Sequence, residues 1–394
     1  MSIMKTMIRR MLIPALLLAL IACGGTPTSD PTEAAGQAEE TAESTATAAA
    51  AAAAAENPYA ALFTELEGLT GQERRDRLVE LAEEEGATVQ AYGANSDLPD
   101  LAQTFTDEYG IPVEVYRAQA NQVLQRVLQE AEAGQLAADL IDNNGFEMAV
   151  TAREGLTVDY QGPIEAQLRE GTNWDGWTAN RFTLVSPVWN TEVLTEGPPA
   201  EFADMADERF SGKLLVEPRA FDWYMTLSTW FQENGMTEEQ FDEMFRSIVR
   251  NSTLLSGNTS HVNFLASGEY GISAGTYHHL VDDAIAAGAP LARLPAVEPV
   301  VARPNGMALA RTTDSPASTL LFFEWLLTDA QPLLVEDYRL PALEQGLETE
   351  RVLEGIEELV TIDIDRLVDE GLEWEQRYQE LLREAAGTVE DPAG

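Results

Sequence analysis

The sequence is poor in cysteine, histidine and lysine. Of 394 residues, one is cysteine and three are histidine, and the only lysines are Lys5 and Lys213. A single cysteine excludes an intrachain disulfide and a four-thiolate metal site. Basic residues are so outnumbered by acidic ones that the formal net charge is −43. Such a surface is repelled by phosphate backbones, which excludes nucleic-acid binding through a basic patch.

The composition is otherwise that of a globular protein. Hydrophobic residues make up 45% of the chain, and its 28 glycines and 19 prolines follow no collagen-like period. The length allows two or three domains of ordinary size.

The N-terminus is typical of an export signal. Lys5, Arg9 and Arg10 precede an apolar run at 11–22 that is too short to span a bilayer comfortably. The run ends in Leu-Ile-Ala followed by Cys23, an arrangement that resembles the lipobox of bacterial lipoproteins. It predicts a signal peptide at 1–22 and lipidation of Cys23. The alternative is ordinary signal cleavage beside a chance cysteine.

Residues 23–57 are predicted to form a disordered tether. Thr, Ser, Ala, Glu and Pro dominate this segment, which includes an alanine run at 48–55. With almost no large apolar residues it cannot bury a core.

The body alternates strands and helices. Strands are predicted at 88–92, 112–116 and 138–141, with helices at 98–109 and 121–133 between them. A helix opened by a capping box at 70–73 precedes this set. Strand–helix alternation over these distances indicates a parallel sheet with crossover helices.

A second set of elements follows. Strands are predicted at 181–190, 213–216, 270–274 and 306–310, and helices at 236–250 and 317–328. Thr237 and Gln240 form the predicted capping box of the first of these helices. The tail at 343–386 is predicted to be helical and acidic.

Several segments, taken in order, resemble the extracellular solute-binding proteins of bacterial ABC importers. The branch is that of ferric-iron-binding proteins and their phosphonate, sugar-phosphate and polyamine relatives. The matching segments are 88–111, 121–139, 181–191 (RFTLVSPVWNT), 210–218 (FSGKLLVEP), 268–279 (GEYGISAGTYHH) and 304–331.

The resemblance implies an α/β fold of two lobes joined by two crossover strands, the type II periplasmic-binding-protein fold, closing on a ligand. The crossings would fall at 181–190 and about 297–302. Lobe one would comprise 58–180 and the return at 301–394 with the C-terminal helices, and lobe two 181–300. The ligand would lie where helix N-termini and loop amides of both lobes converge.

The histidines are the candidate metal ligands. Counted from Gly268-Glu269, the adjacent tyrosines that bind iron in ferric-binding relatives fall on His278 and His279, with Tyr277 just before them. Neutral imidazole suits softer divalent ions better than ferric iron. The alternative is that both histidines form the polar start of a helix.

Other candidate ligand-binding residues lie in predicted loops and at the hinge. Asn95, Ser96, Asn143 and Asn144 are expected on lobe one, facing Tyr277, His278 and His279 on lobe two. Arg181 and Arg219 are candidate anion clamps, or else surface charges paired with acids. Four tryptophans flank the predicted hinge and could stack on an organic ligand or pack in the core: Trp174, Trp177, Trp189 and Trp223. Of these, Trp223 is predicted to contact the ligand.

One motif points to catalysis. Gly271 to Gly275 read G-x-S-x-G, a match to the nucleophile elbow of hydrolases with Ser273 as nucleophile. In that fold the catalytic histidine comes well after the serine, whereas the last histidine here is His279. A surface hydrolase is therefore the disfavoured alternative.

The sequence thus predicts a lipid-anchored, monomeric binding protein that catalyses nothing, needs no cofactor and serves an ABC permease outside the cytoplasmic membrane. The favoured ligand is iron or another metal ion; the alternatives are a small phosphorylated, phosphonate or polyamine ligand. A sensor in place of the permease is the remaining alternative for the partner.

Overall fold

The computed structural model describes residues 57–344 and 346–386. Cys23, the signal peptide and nearly all of the predicted tether lie outside these residues. Among the helices of the described part, none is long and apolar enough to cross a membrane.

The strands are β1 Val89–Gly93, β2 Val113–Arg117, β3 Leu140–Asn144, β4 Thr157–Val158, β5 Asn173–Trp174, β6 Trp177–Asn190, β7 Leu214–Val216, β8 Ser252–Leu254, β9 Ile272–Tyr277, β10 Leu291–Ala292, β11 Val300–Ala310, β12 Leu340–Pro341 and β13 Leu359–Thr361.

Helices cover the sheet and connect its strands. They are α1 Ala60–Glu65, α2 Gly71–Glu85, α3 Leu98–Tyr109, α4 Ala120–Glu132, α5 Gly145–Arg153, α6 Phe221–Glu233, α7 Glu238–Arg250, α8 Asn258–Ala266, α9 His278–Ala286, α10 Pro316–Leu327, α11 Gln331–Glu336, α12 Glu350–Leu353 and α13 Ile364–Ala386. Short 3₁₀ turns lie at Glu165–Gln167, Phe202–Ala206 and Glu208–Phe210.

The strand order β2-β1-β3-β11-β6-β9-β7-β8 confirms the predicted α/β fold of two lobes. In lobe one, β1 pairs in parallel with β2 and β3, and in lobe two, β7 pairs in parallel with β8 and β9. Two long antiparallel strands, β6 and β11, lie between these sets and cross from one lobe to the other. The carboxyl ends of both parallel sets therefore face each other over the crossing strands.

The crossing strands are longer than the sequence predicts. Strand β6 begins at Trp177 rather than 181, and all of its residues are buried. Residues 300–302 of the predicted crossing at 297–302 and the predicted strand at 306–310 belong to one continuous strand, β11, which begins at Val300. Its register against β6 shifts between Asn305 and Gly306, just after Pro304, so an irregularity interrupts the ladder without ending it.

The local helix signals are confirmed in part. Helix α3 spans the predicted 98–109, and the box of Thr237 and Gln240 forms reciprocally, with hydrogen bonds of 3.2 and 2.8 Å. Thr70 precedes α2 as predicted but makes no side-chain capping hydrogen bond, so the capping box at 70–73 is wrong.

The tail departs most from its prediction. It is not one helical region, because β13 pairs in parallel with β11 over Val300–Ala302, where that strand has no other neighbour on this edge. Helix α13 then contacts both lobes. Arg153 of α5 donates to Asp369 at 2.5 Å, and Tyr378 donates to the Glu217 carbonyl at 2.8 Å. The C-terminal helix thus runs along one side of the gap between the lobes.

Candidate ligand site between the two lobes

Arg303 lies at the centre of the interlobe region. It extends from β11 and donates to the Tyr277 hydroxyl at 2.5 Å and to Asp222 at 2.7 Å. Tyr277 ends β9, and Asp222 lies in the first turn of α6, so one guanidinium on a crossing strand holds two separate elements of lobe two. Its Nε is buried without a hydrogen-bond partner among the described residues.

Amide and hydroxyl side chains join the crossing strands to lobe one. Thr183 of β6 donates to Asn305 at 2.8 Å, and Asn305 donates to the Asn144 side-chain oxygen at 2.9 Å. Asn143 is 1% exposed and donates to the Ala120 carbonyl at 3.1 Å. Both predicted asparagines end β3, and Asn144 is the one that contacts a crossing strand through its side chain.

A cavity of about 130 Å³ adjoins Arg303. It is referred to below as the Arg303 cavity, and its lining residues are Asn144, Gly145, Phe146, Glu147, Arg219, Phe221, Asp222, Arg303, Ile362, Ile364 and Leu367. These come from both lobes, a crossing strand and the C-terminal segment. Phe146 and Phe221 meet edge to face across the lobes, with ring centroids 6.3 Å apart.

Two helices begin at the Arg303 cavity. Helix α5 of lobe one starts at Gly145 and α6 of lobe two at Phe221, and neither N-cap side chain accepts a hydrogen bond. In the first turns, the Asp222 carboxylate accepts from the Trp223 amide at 2.9 Å and the Glu147 carboxyl group accepts from its own amide, which leaves the earlier amides of each helix for a ligand. Uncapped helix N-termini present backbone N–H groups and the positive end of the helix dipole. The cavity therefore offers donors from both lobes to an acceptor.

Glu147 is the acid most perturbed by this environment. Burial raises its pKa to about 7, and Asp222 acts in the same direction while its own backbone amide and Arg303 oppose the shift. Asp222, by contrast, is paired with Arg303 at 2.7 Å. Near neutral pH the cavity therefore carries less negative charge than its two carboxyl groups suggest.

Arg219 is the accessible charge of the Arg303 cavity. Its side chain is 73% exposed, and the distance from its Nε to Oε1 of Glu217 is long, at 3.5 Å. Glu217 is itself held by backbone amides, accepting from those of Arg219 and Gly257. The Arg219 guanidinium is thus accessible to a ligand, and its role as an anion clamp stays a prediction.

A second pocket, of about 480 Å³, lies elsewhere on the lobe boundary. It is called the Arg339 pocket below, and its lining residues are Ser96, Asp97, Asp100, Leu101, Thr104, His279, Leu280, Asp283, Leu333, Glu336, Asp337 and Arg339. Arg339 pairs with Asp97 at 2.7 Å. Lobe one supplies most of the wall, and α9 of lobe two supplies the rest.

The predicted loop after β1 reaches this second pocket. Ser96 is exposed, lines the pocket and donates to Asp97 at 2.8 Å. Asn95 is 5% exposed; its side-chain oxygen accepts from the Asp97 amide, and its Nδ2 has no hydrogen-bond partner among the described residues.

The two candidate metal ligands point to different partners. His278 is 1% exposed and its Nε2 lies 2.7 Å from Ser186 Oγ on β6, so it does not lie at the mouth of the gap as predicted. Burial, with a contribution from Arg293, lowers its pKa to about 3. His279 instead lines the Arg339 pocket and stacks on Tyr277, with ring centroids 5.7 Å apart. Over the described residues, no group of three or more His, Cys, Asp or Glu is placed to hold a metal ion.

Arg181 has a structural partner rather than an open guanidinium. It donates to both oxygens of Asp142, at 2.9 and 3.1 Å, and the two side chains are 4% and 1% exposed. A buried carboxylate in bidentate contact leaves no fork for a ligand anion. The prediction of Arg181 as an anion clamp is therefore corrected.

Trp223 belongs to the core of lobe two. It is 3% exposed and packs against Phe202 and Phe245, with ring centroids within 6 Å. A Cβ on Gly275 would lie 2.9 Å from its ring, so the indole fills the space against β9. Its predicted ligand contact is corrected to a packing role, and Trp177 and Trp189 are buried likewise.

Ser273 is inside strand β9, not on an elbow between a strand and a helix. Its hydroxyl lies 2.8 Å from Nδ1 of His261, whose Nε2 lies 2.7 Å from the Leu255 carbonyl oxygen. Both side chains are 0% exposed. The pair is a buried hydrogen bond within lobe two, out of reach of a substrate.

Sequence reasoning missed Arg303, Glu147, Asp222 and Arg339. Arg303 had a usable signal, since it is a lone charge within an otherwise apolar strand segment. Asp222 lies three positions after Arg219, in the first turn of α6, so it is close in sequence to a residue that was predicted. Glu147 and Arg339 gave no comparable signal, because acids in helices and arginines in loops are common on surfaces.

Comparisons with known proteins agree with this architecture. A family model described as "Bacterial extracellular solute-binding protein" matches residues 100–338. No curated protein matches the chain.

Solved structures match most of the chain. Iron-bound HitA from Pseudomonas aeruginosa is 13% identical with a TM-score of 0.60, over 74% of this chain and 99% of that one. The ferric binding protein from Campylobacter jejuni is 15% identical with a TM-score of 0.61, over 74% and 99%. AfuA from Actinobacillus pleuropneumoniae, with bound fructose-6-phosphate, is 17% identical with a TM-score of 0.62, over 75% and 98%. At these identities the likeness concerns the fold.

Proposed function

Because the chain belongs to the bacterial extracellular solute-binding proteins, we propose that it captures a small anionic organic ligand between its lobes and delivers it to an ABC permease. The observation that carries this proposal is the Arg303 cavity, where the uncapped N-termini of α5 and α6 and the guanidinium groups of Arg219 and Arg303 converge. Helix N-termini and arginine forks are suited to phosphate and carboxylate groups.

The charges of the cavity support an anion. Arg303 is neutralised by Asp222, while Glu147 has a pKa raised by burial to about 7 and so is partly protonated near neutral pH. The accessible cation that remains is Arg219. The long-range field of a chain with net charge −43 favours cations, so anion selectivity would come from this local arrangement.

The geometry supports an anionic organic better than the metal ion that the sequence favoured. His278 faces Ser186 and His279 faces the Arg339 pocket, so the two imidazoles do not share one coordination site. Among the described residues, Tyr277 is the tyrosine that contacts Arg303, and its hydroxyl accepts from that guanidinium.

Calorimetric titration tests the proposal. Fructose 6-phosphate, inorganic phosphate and ferric citrate should each be titrated into the protein, and we expect heat from at least one of the two phosphates. Arg219→Met should weaken that binding at least tenfold, the effect of removing one charge-assisted hydrogen bond (about 1.5–3 kcal/mol). Arg209→Met, on a 3₁₀ turn of the same lobe outside the Arg303 cavity, is the matched control. Tight ferric binding without any response to phosphates would overturn the proposed ligand class.

Closure is expected to accompany binding. The crossing strands β6 and β11 allow the lobes to approach, and a ligand that contacts both lobes favours the closed arrangement. We propose that the protein acts as a monomer, performs no catalysis and needs no cofactor.

We also propose a lipid anchor at Cys23, which places the protein at the cell envelope outside the cytoplasmic membrane. Cys23→Ser is expected to move the protein into the soluble fraction, because no other cysteine can accept the lipid. Its unfolding transition should be unchanged, since the compact unit that carries both lobes begins at Asn57. Fractionation followed by immunoblotting measures the shift; a variant that stays with the membrane contradicts the anchor.

A further inference from the structure

The Arg303 cavity holds two carboxyl groups in a small volume. Glu147 and Asp222 both line its 130 Å³, together with the guanidinium groups of Arg219 and Arg303. With both acids ionised, two negative charges balance two positive ones, and an entering anion meets no net positive charge. With one acid protonated, the same four side chains carry a net charge of +1. Capture of an anion therefore favours a proton on one of the two acids.

The contacts of the two acids decide which of them takes the proton. Asp222 pairs with Arg303 at 2.7 Å and accepts from the Trp223 amide at 2.9 Å, and both contacts stabilise its ionised form. Glu147 is half-buried in the wall of the cavity and forms no ion pair among the described residues. Glu147 is therefore the acid that loses its charge first when an anion enters.

The pKa of Glu147 agrees with this assignment. Burial raises it to about 7, and Asp222 acts in the same direction against the Glu147 backbone amide, Arg303 and the Asn144 side chain. The carboxyl group is thus already balanced between its two forms near neutral pH, where a small change in its surroundings shifts its protonation.

The other charges near α5 are paired with each other. Asp142 of β3 and Arg181 of β6 form a buried pair, and Arg153 at the far end of α5 pairs with Asp369 of α13. The C-terminal segment lines the cavity with apolar side chains only. The charges that act on Glu147 are therefore those inside the cavity, and a bound anion would join them.

We propose that Glu147 determines the charge state in which the Arg303 cavity captures its ligand, because binding of an anion is coupled to uptake of one proton from solvent by the Glu147 carboxyl group. This inference rests on the proposed function, since it requires an anion in the cavity. Protonation also gives the carboxyl group an O–H donor, so the proton that removes the repulsion is available to an oxygen atom of the ligand.

The expected size of the coupling follows from like-charge repulsion. An anion beside Glu147 should raise the pKa of this carboxyl group by a further ~1–2 units above its value of about 7 in the free protein. At pH 8 the free protein has largely lost the proton that the complex keeps. Binding should then take up about 0.4–0.8 proton per ligand, and the affinity should fall at least about fivefold between pH 7 and 9.

Calorimetric titration of fructose 6-phosphate and inorganic phosphate at pH 8 tests the coupling. In buffers of different ionisation enthalpy, the slope of the observed heat against that enthalpy gives the number of protons taken up. Wild type should take up about 0.4–0.8 proton more than Glu147→Gln, a comparison in which the ionisation of the phosphate cancels. Glu154→Gln, an exposed acid at the end of the same helix and outside the cavity, should match wild type.

The affinities give a second measurement. Between pH 7 and 9, the affinity of wild type should fall at least about fivefold relative to that of Glu147→Gln. Equal proton uptake by the two proteins, or parallel pH dependence of their affinities, would overturn the inference while the proposed ligand class stands. Absence of heat from both phosphates in wild type would overturn the proposed function and this inference with it.

A Glu147→Gln variant that does not fold leaves the decision to wild type. A phosphate monoester loses its second proton near about pH 6, so fructose 6-phosphate is a dianion at pH 8 and takes up no proton of its own. A positive slope in wild type then supports uptake by the protein, and a slope of zero contradicts it.

Discussion

Arg181→Met is expected to lower the free energy of unfolding by about 3–5 kcal/mol, the cost of leaving a buried carboxylate without its partner. Asp142 is 1% exposed at the side chain and receives both of its guanidinium contacts from Arg181. Urea unfolding followed by tryptophan fluorescence measures the change. Adding Asp142→Asn should recover part of the loss, because the uncompensated charge is then removed.

Arg219→Met is the matched control for this prediction. Its side chain is 73% exposed, so the free energy of unfolding should change by no more than about 0.5 kcal/mol. Both arginines are predicted from sequence as anion clamps, but their variants should differ. Arg181→Met should lower the free energy of unfolding, whereas Arg219→Met should weaken ligand binding. A stable Arg181→Met protein that has lost ligand binding would show that Arg181 contacts the ligand after all.

Glu147→Gln is expected to stabilise the protein at alkaline pH and to have little effect in acid. The ordinary pKa of a glutamate carboxyl group, 4.5, applies in the unfolded chain, and burial raises it to about 7 in the fold. Between these values the folded state keeps a proton that the unfolded state has lost, so stability falls as pH rises from about 4.5 to 7. The full difference corresponds to about 3 kcal/mol, an upper bound on the expected gain at pH 8.

Thermal unfolding of wild type and Glu147→Gln between pH 4 and 8 measures this effect. The two curves should converge near pH 4 and separate up to pH 7, then run parallel. Glu154→Gln, an exposed acid at the end of the same helix, serves as control and should not alter the pH profile. Curves for Glu147→Gln that stay parallel to wild type over the whole range would show that Glu147 ionises normally in the fold.

The fold was predictable from sequence because its signals are local. Helix α3 and the capping box of α7 depend on residues three or four apart, and the crossing strand β6 is a long apolar run. Chain order then gave two parallel sets joined by crossovers. The edge pairing of β13 could not be predicted, because the open edge of β11 that it covers exists only once the sheet has assembled.

The site was less predictable because its contacts are long range. Arg303 meets Tyr277 and Asp222 across 26 and 81 positions of sequence, and no spacing rule links them. The divergence of the histidines was foreseeable in part. Consecutive residues at the start of a helix point about 100° apart, so His278 and His279 could not both be expected to face the gap.

The position of β11 between β3 and β6 imposes an order on folding during export. Asn144 at the end of β3 meets Asn305 of β11, 161 positions later. Until the chain beyond Ala310 has been released, β3 presents an unpaired edge, and all of lobe two must pass before that edge is covered. The parallel sets of both lobes pair among themselves and can assemble before β11 joins them. We therefore expect a chain of this topology to need its β3 edge protected until β11 has joined the sheet.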